Sequence, residues 1–424
     1  MTLFHSNWMP AKQKIIVKIL FEYRGLLYEQ LIEELSQRFT GRPASQSFTK
    51  NTYKDLQKLE EQRLIIRDPI KIGRTKDLIY LSEAGHEYAA ELFGIYPGHV
   101  GTGWDRDYGD FPHELQRPPK ASSPVILHHL MAASVLLRLE RLKHSYPDYE
   151  IDYRDNRYAS LKYDTDGTVN RFKPDGELLI RSGRYLLEMD RGTEFGEKLR
   201  EKFQTYRRYL EHLQESGESL PEGVIFVCNK DSYNGMLKRW NLISSIFWSE
   251  LGEWRTRFNL IGINGVTELE RVVVRQGERD KQFNAFYSKM ARYRSAEVNF
   301  GIINSGQGLD WDRPVFSLSS STPDRMLAYE RVEQFETLGL ARLYAWSQWL
   351  SSARGRYPNL TDVTRFIPVL VRTDSKPAPL IFKGFDTEAE LTAIFSSALW
   401  LNTLDEPRWR DPGGEPLSLM NPIE

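Results

Sequence analysis

Phe172-Lys173-Pro174-Asp175-Gly176-Glu177-Leu178-Leu179-Ile180, then Arg181-Ser182-Gly183-Arg184, then Tyr185-Leu186-Leu187-Glu188-Met189-Asp190, is the stretch on which the reading of this chain turns. Two apolar runs flank a short polar segment with Gly, the pattern of a β-hairpin. Asp175 opens the first strand after a proline and Glu188 ends an apolar strand, so an antiparallel register can bring both carboxylates to one end of a sheet. Carboxylates held that way suit Mg2+ or Mn2+, hard ions that prefer oxygen ligands, with the Met189 carbonyl completing the set. Such an ion lowers the pKa of an attacking water and offsets charge on a phosphate, which is what phosphodiester hydrolysis requires.

On the N-terminal side, Ile15, Ile16, Ile19, Leu20 and Tyr23 recur at helical spacing over 11–23, and a second helical pattern covers 28–39. A third follows over 48–59, with Ser47 placed to cap it. It turns Leu56 and Leu59 inward and sets Lys50, Asn51, Lys54 and Lys58 across much of the opposite face. Leu64-Ile65-Ile66, a basic turn over 67–76 containing Gly73, and Leu78-Ile79-Tyr80-Leu81 read as two strands around a hairpin. Three helices followed by a two-stranded wing is the winged-helix order. In that arrangement the third helix enters the major groove of duplex DNA, while Lys71, Arg74 and Lys76 on the wing reach phosphates. The region is close to charge-balanced, so a winged helix that mediates only protein contacts is the alternative. One further helix, over 82–93, closes the domain.

From 94 to 123 Pro, Gly and Asp replace the apolar period, which marks a linker. A strongly apolar helix over 124–144 carries His128, His129 and Glu140, a helix rich in Tyr and basic residues covers 199–213, and 224–228 reads as a buried strand. Beyond Arg255 the expected strands are 258–263, 271–274, 298–303 and 366–371, with one long helix over 324–352 whose Tyr329, Phe335, Tyr344, Trp346 and Trp349 belong to a core. The tail from Glu406 reads as loop or disordered end.

Composition bounds the function. The chain has 424 residues, 40% hydrophobic and 27% charged, the mix of a multidomain globular protein. Its net charge of −1 excludes a polycation that coats nucleic acid, so any basic footprint is local. The single cysteine, Cys228, excludes an internal disulfide and a multi-thiolate zinc site; its apolar run makes it a buried strand residue. No segment approaches the roughly 18 apolar residues of a membrane span, and no export signal opens the sequence, so no membrane partner and a cytoplasmic location are expected. A phosphate loop of the G-x-x-x-x-G-K-[ST] type, an H-E-x-x-H zinc helix, internal repeats and dimerisation heptads are absent from the sequence.

Pro174-Asp175, the hairpin and Glu188-x-Asp190 resemble the PD-(D/E)xK nuclease superfamily, with the helix from Pro124 as its leading helix. More narrowly, Glu188-Met189-Asp190-Arg191-Gly192-Thr193-Glu194, followed by Lys202-x-x-x-Tyr206-x-x-Tyr209, resembles the replication-relaxation family of bacterial mobile elements. That family also begins with a winged helix, and its leading core helix carries a histidine where this chain has His128-His129. The resemblance spans roughly residues 10–265. It implies metal ligands at Asp175 and Glu188, a catalytic set of Asp175, Glu188, Asp190 and Lys202, and supporting roles for Glu194, His129 and Tyr206. One departure matters: the position two past the acid, normally lysine in active members, is Asp190 here. A lysine from the next helix, Lys202 or Lys198, can reach back toward the metal, and the motif match favours Lys202; a solvated ion pair is the alternative for each.

The expected architecture is therefore α/β: a winged helix at 1–95, a linker at 96–123, a PD-(D/E)xK-like mixed sheet with flanking helices at 124–265, and a C-terminal α/β extension at 266–424. The expected activity is metal-dependent cleavage of double-stranded DNA by a protein of plasmid or mobile-element replication, transfer or transposition, acting with other proteins of those processes. The alternative is a non-catalytic DNA-binding replication or regulatory factor that keeps a degenerate nuclease fold.

Overall fold

The structure, a computed structural model, describes residues 9–104, 123–159, 161–165, 168–291, 298–302, 309–319, 322–372, 380–402 and 408–417. The protein is mixed α/β. Contacts divide it into two compact units, Met1–Leu161 with Lys173–Arg181, and Lys162–Phe172 with Ser182–Glu424. The division passes through the expected 124–265 domain. Residues 105–122 of the expected linker lie outside the described residues.

The first unit opens with α1 (Ala11–Tyr23), β1 (Leu26–Leu27), α2 (Tyr28–Thr40), α3 (Gln46–Glu61), β2 (Ile65–Ile72), β3 (Arg74–Leu81) and α4 (Glu83–Leu92). Helix α2 stops at Gly41, whose φ of 66° suits a residue without Cβ and whose N–H bonds back to Gln37. Helix α3 is capped by Ser45, not by Ser47: Ser45 is extended and its Oγ accepts from the Phe48 N–H at 3.2 Å, whereas Ser47 already lies inside the helix. Leu56, Leu59, Ile16, Leu20, Leu31 and Leu35 are almost wholly buried. Arg38 binds Glu22 at 2.7 Å and Glu34 at 2.7 Å, tying α1 to α2 where both acids are largely buried. The antiparallel order β1-β3-β2 leaves β2 at an edge, which is where Pro69 can sit without removing a ladder hydrogen bond from a central strand. Gly73, at φ 66°, makes the turn between β2 and β3.

Helix α5 (Ser123–Ser145) continues this unit, and β4 (Asp152–Asp155) pairs antiparallel with β7 (Gly176–Ile180), Asp155 opposite Gly176. Ile126 and Leu130 of α5 pack with Ile70 and Leu78 of the hairpin. Gln30 donates to Ser134 at 2.9 Å, and His129 Nε2–H donates to the Gly25 carbonyl at 2.9 Å. Between β4 and β7 lie β5 (Leu161–Thr165) and β6 (Thr168–Phe172), which form a two-stranded sheet.

In the second unit, β8 (Gly183–Asp190), β9 (Gly223–Cys228) and β10 (Asn259–Asn264) run parallel, with Glu188 opposite Phe226 and Phe226 opposite Gly262. Helices α6 (Glu197–Ser216) and α7 (Tyr233–Leu251) make the intervening crossovers. Leu186, Phe203, Leu210, Phe226, Phe247 and Phe258 form their shared core.

The chain continues through α8 (Leu269–Gly277), α9 (Arg279–Ala291), β11 (Val298–Ile302), β12 (Val315–Ser319), β13 (Arg325–Arg331), α10 (Leu338–Ala353), β14 (Arg365–Arg372), α11 (Glu388–Phe395), β15 (Leu399–Asn402) and β16 (Arg408–Arg410). The last six strands form one sheet in chain order, with β13, β14 and β15 parallel.

Three segments here differ from expectation. Residues 271–274 are helical, in α8: the Val run suggests a strand, but Leu269, Val272 and Val273 share a buried face and Arg275 reaches Glu333 at 3.4 Å. The expected helix over 324–352 is two elements, β13 and α10. Met326 and Ala328 pack on one side of the sheet while Leu327 and Tyr329 pack on the other, so both faces are apolar and the period-2 signal is lost. The tail from Glu406 is partly ordered, since β16 pairs with β15, Trp409 opposite Leu401; residues 406–407 and 418–424 lie outside the described residues.

A Cβ on Gly85 would lie 1.8 Å from the Leu64 carbonyl oxygen, so Gly85→Ala should destabilise the first unit by about 3 kcal/mol, read as a lower midpoint in calorimetry. Burial pushes the His129 pKa down to about 4 against its hydrogen bond to Gly25. The unfolded chain takes up this proton near pH 6.5 and the folded chain does not. Stability should therefore fall by about 2–3 kcal/mol as pH drops from 6.5 toward 4, and His129→Gln should flatten that part of the pH–stability curve.

Candidate functional site

The first unit presents a basic face. One side of α3 is buried through Thr52, Leu56 and Leu59, and because the helix repeats every 3.6 residues, Lys50, Asn51, Lys54 and Lys58 emerge into solvent. Lys71 and Arg74 stand exposed on either side of Gly73 at the tip of the β2–β3 hairpin. No described carboxylate pairs with Lys50, Lys54, Lys58, Lys71 or Arg74. Lys76 differs: it is half-buried and its ammonium is 3.3 Å from Glu29. Arg67, on β2, is held by Glu60.

Asp175 lies in this unit, immediately before β7, with its side chain 16% exposed; its Oδ1 is 2.9 Å from His128 Nε2. The His128-His129 pair therefore splits. His128 meets the acid, while His129 is committed to the Gly25 carbonyl.

Glu188 lies in the second unit, on β8, and the structure brings Lys202, Glu194 and Tyr206 to it. Lys202 and Tyr206 are one turn apart on α6 and so share a face. Tyr206 Oη–H donates to Glu188 Oε1 at 2.6 Å, and Lys202 Nζ donates to Oε2 at 2.9 Å while standing 3.0 Å from Glu194. Burial works against the Lys202 ammonium, but the two carboxylates hold its pKa above the ordinary lysine value, so it is charged at neutral pH. Lys198 is exposed.

Asp190 is engaged differently. Arg239 of α7 grips it in bidentate fashion, Nη2 to Oδ1 at 2.6 Å and Nε to Oδ2 at 2.7 Å, and the Gly192 N–H and Cys228 Sγ add further donors at 2.9 and 3.4 Å. The Arg239 and Asp190 side chains are 4% and 3% exposed. Burial raises the Asp190 pKa, yet Arg239 outweighs it and keeps the carboxyl below its ordinary range, whereas burial and Asp190 push the Cys228 thiol well up. Arg239 also donates to the Glu194 carbonyl at 2.7 Å, which fixes the 191–196 loop so that the Glu194 side chain meets Lys202. Sequence reasoning misses Arg239, because an arginine 49 residues along the chain carries no local signal of its partner.

These donors bear on a divalent cation. Within the second unit both oxygens of Glu188 accept from Lys202 and Tyr206, and those of Asp190 accept from Arg239. Among the described residues no group of three His, Cys, Asp or Glu side chains is arranged to hold a metal ion. As arranged, the second-unit carboxylates do not fit Mg2+ or Mn2+ unless Lys202 releases Glu188.

Among the described residues no helix is long and apolar enough to cross a membrane. No curated protein matches the chain. Among solved structures, the crystal structure of protein VC1899 from Vibrio cholerae aligns with a TM-score of 0.26 and 11% identity, over 65% of this chain and 58% of that one, less than two thirds of its length. Residues 27–220, which contain the basic face of α3 and the hairpin, Asp175 and the Glu188–Glu194 segment with Lys202 and Tyr206, match the family model described as Replication-relaxation, the family that the sequence of this chain resembles.

Proposed function

We propose that this protein binds duplex DNA in the replication or relaxation of a plasmid or other mobile element. Residues 11–92 are read as a winged helix, with α3 entering the major groove and the β2–β3 hairpin lying along the phosphates. The observation that carries the reading is the set of exposed cations Lys50, Lys54, Lys58, Lys71 and Arg74, which meet no described carboxylate on a chain whose overall charge is −1. A cation left in water beside no acid retains its full field for a phosphate, and clustering on one helix and one hairpin tip gives that field a direction. Asn51, on the same face, offers the amide geometry that reads adenine edges. The family match supports the replication or relaxation setting.

Affinity for a duplex oligonucleotide, measured by fluorescence anisotropy, should fall roughly 10²- to 10³-fold between 50 and 200 mM salt, as expected for about five phosphate contacts. Lys50→Glu, Lys54→Glu and Arg74→Glu together should abolish binding, and Lys76→Ala should change it less than Lys54→Ala because Lys76 already serves Glu29. Unchanged affinity in the triple variant would remove the winged helix from the interface.

A second reading, hydrolysis of a DNA phosphodiester, rests on Lys202, whose ammonium lies 2.9 Å from Glu188 and would have to release that carboxylate for Mg2+ or Mn2+ to bind it. Its test is incubation of supercoiled, linear and single-stranded DNA with Mg2+, Mn2+ or chelator, beside Asp175→Ala and Lys202→Ala. Metal-dependent cutting lost in both variants is the expected signature of that reading. Binding without cutting on every substrate would leave the non-catalytic factor.

A further inference from the structure

The second unit contains a cavity of about 400 Å3 that neither reading above uses. It lies where β13 ends at Glu330 and Arg331, where Val371 nears the end of the parallel neighbour β14, and where α10 begins at Leu338 and Gly339. A crevice outside the carboxyl ends of parallel strands, facing a helix start, is a recurrent place for ligands because backbone N–H groups converge there. Asn259 Oδ1 accepts from the N–H groups of Thr337 and Leu338, leaving those of Gly339 and Leu340 as the next donors of the helix start. A Cβ on Gly339 would lie 2.0 Å from the Arg331 carbonyl oxygen, so the close seating of α10 on β13 needs glycine at that position.

The cavity lining carries both signs, Glu222, Asp280, Asp312, Glu330 and Glu336 beside Arg279, Arg313, Arg331 and Arg342, and two of these arginines have spare donors. Glu222 is bound by Arg279 at 2.7 Å, and Glu336 by Arg275 and by Asn259 at 3.2 Å. Glu330 accepts from Trp311 Nε1 at 2.9 Å, and burial pushes its carboxyl upward. Asp280 and Asp312 are exposed. By contrast, Arg342 has only its Nε engaged at hydrogen-bond distance, on the Thr256 carbonyl at 3.0 Å, with Glu330 no nearer than 3.9 Å among the described residues. Arg331 reaches Gln282 and Glu333, both at 3.3 Å, and its Nη2 is buried without a hydrogen-bond partner among the described residues. Guanidinium donors with such spare capacity call for an anion, and phosphate oxygens match their planar fork. The lining also includes Phe283, half-buried, with Arg313 5.2 Å from its ring. An aromatic face backed by a cation is a stacking platform for a base.

We propose that this cavity binds a nucleoside phosphate, either a free mononucleotide or the phosphorylated end of a nucleic-acid strand. Arg331, Arg342 and the start of α10 take the phosphate, and Phe283 takes the base. The volume is at the lower end of small-ligand sites and suits one nucleotide rather than a dinucleotide.

The test is isothermal titration of the full chain with adenosine and guanosine 5′-monophosphates, inorganic phosphate, adenosine, and a short single strand with and without a 5′-phosphate, on the native protein, Arg331→Gln and Phe283→Ala. Saturable binding of a mononucleotide, or of the 5′-phosphorylated strand alone, supports the proposal and separates the two sources. In either case Arg331→Gln should weaken binding by about tenfold or more, and Phe283→Ala should weaken it while leaving inorganic phosphate unaffected. Calorimetric midpoints of both variants establish that they fold. No saturable binding of any nucleotide or strand end, or equal affinity in both folded variants and the native chain, overturns it. Duplex docking through α3 is a separate readout and should be the same in all three proteins.

Discussion

Glu188 and Asp190 leave β8 two residues apart, on one face of the strand, and both are almost wholly buried. A carboxylate in such surroundings costs several kcal/mol unless a cation and further donors meet it. Each acid has its own solution. Asp190 takes the guanidinium of Arg239, whose planar fork satisfies both oxygens at once, and Glu188 takes the Lys202 ammonium with the Tyr206 hydroxyl. Because Arg239 is on α7 and Lys202 and Tyr206 are on α6, the two acids set how both helices are placed against the parallel strands. The Arg239 bond to the Glu194 carbonyl then carries the constraint into the loop, so that Glu194 becomes the second acid on Lys202.

The division of labour between these acids shapes the chemistry open to the site. Asp190 is committed to Arg239 and so anchors the fold. Glu188 instead receives its positive charge from α6, with the Lys202 ammonium at 2.9 Å. Glu188 and Glu194 together keep that ammonium in the charged form.

The first unit handles charge the opposite way. Its buried acids Glu22 and Glu34 engage Arg38, while the cations of α3 and the hairpin tip stay in water, where an unpaired lysine costs little. A chain that is nearly neutral overall thereby keeps Lys50, Lys54, Lys58, Lys71 and Arg74 exposed on one helix and one hairpin tip. The helix period that buries Leu56 and Leu59 is the same period that aligns Lys50, Lys54 and Lys58 outward, so stability and surface charge have one cause.

That coupling explains which parts of the molecule are legible without coordinates. The order of α1 to α4 with the β2–β3 hairpin, the exposed face of α3 and the apolar strand holding Cys228 all rest on short-range periods and on turn residues such as Gly73, and these are written locally in the chain. Lys202 is legible only through its spacing from the Glu188 motif. Signals fail where burial is two-sided, as in β13, or where a Val run supplies one face of a helix, as in α8. Local elements and the chemical character of their faces follow from the order of residues alone, because they depend on neighbours a few positions away. The packed fold was needed to assign Asp190 to Arg239, to give Asp175 to His128 rather than His129, and to gather Arg331 and Arg342 around one cavity. Those pairings depend on desolvation, and a buried charge selects its partner by proximity in space, across any distance along the chain.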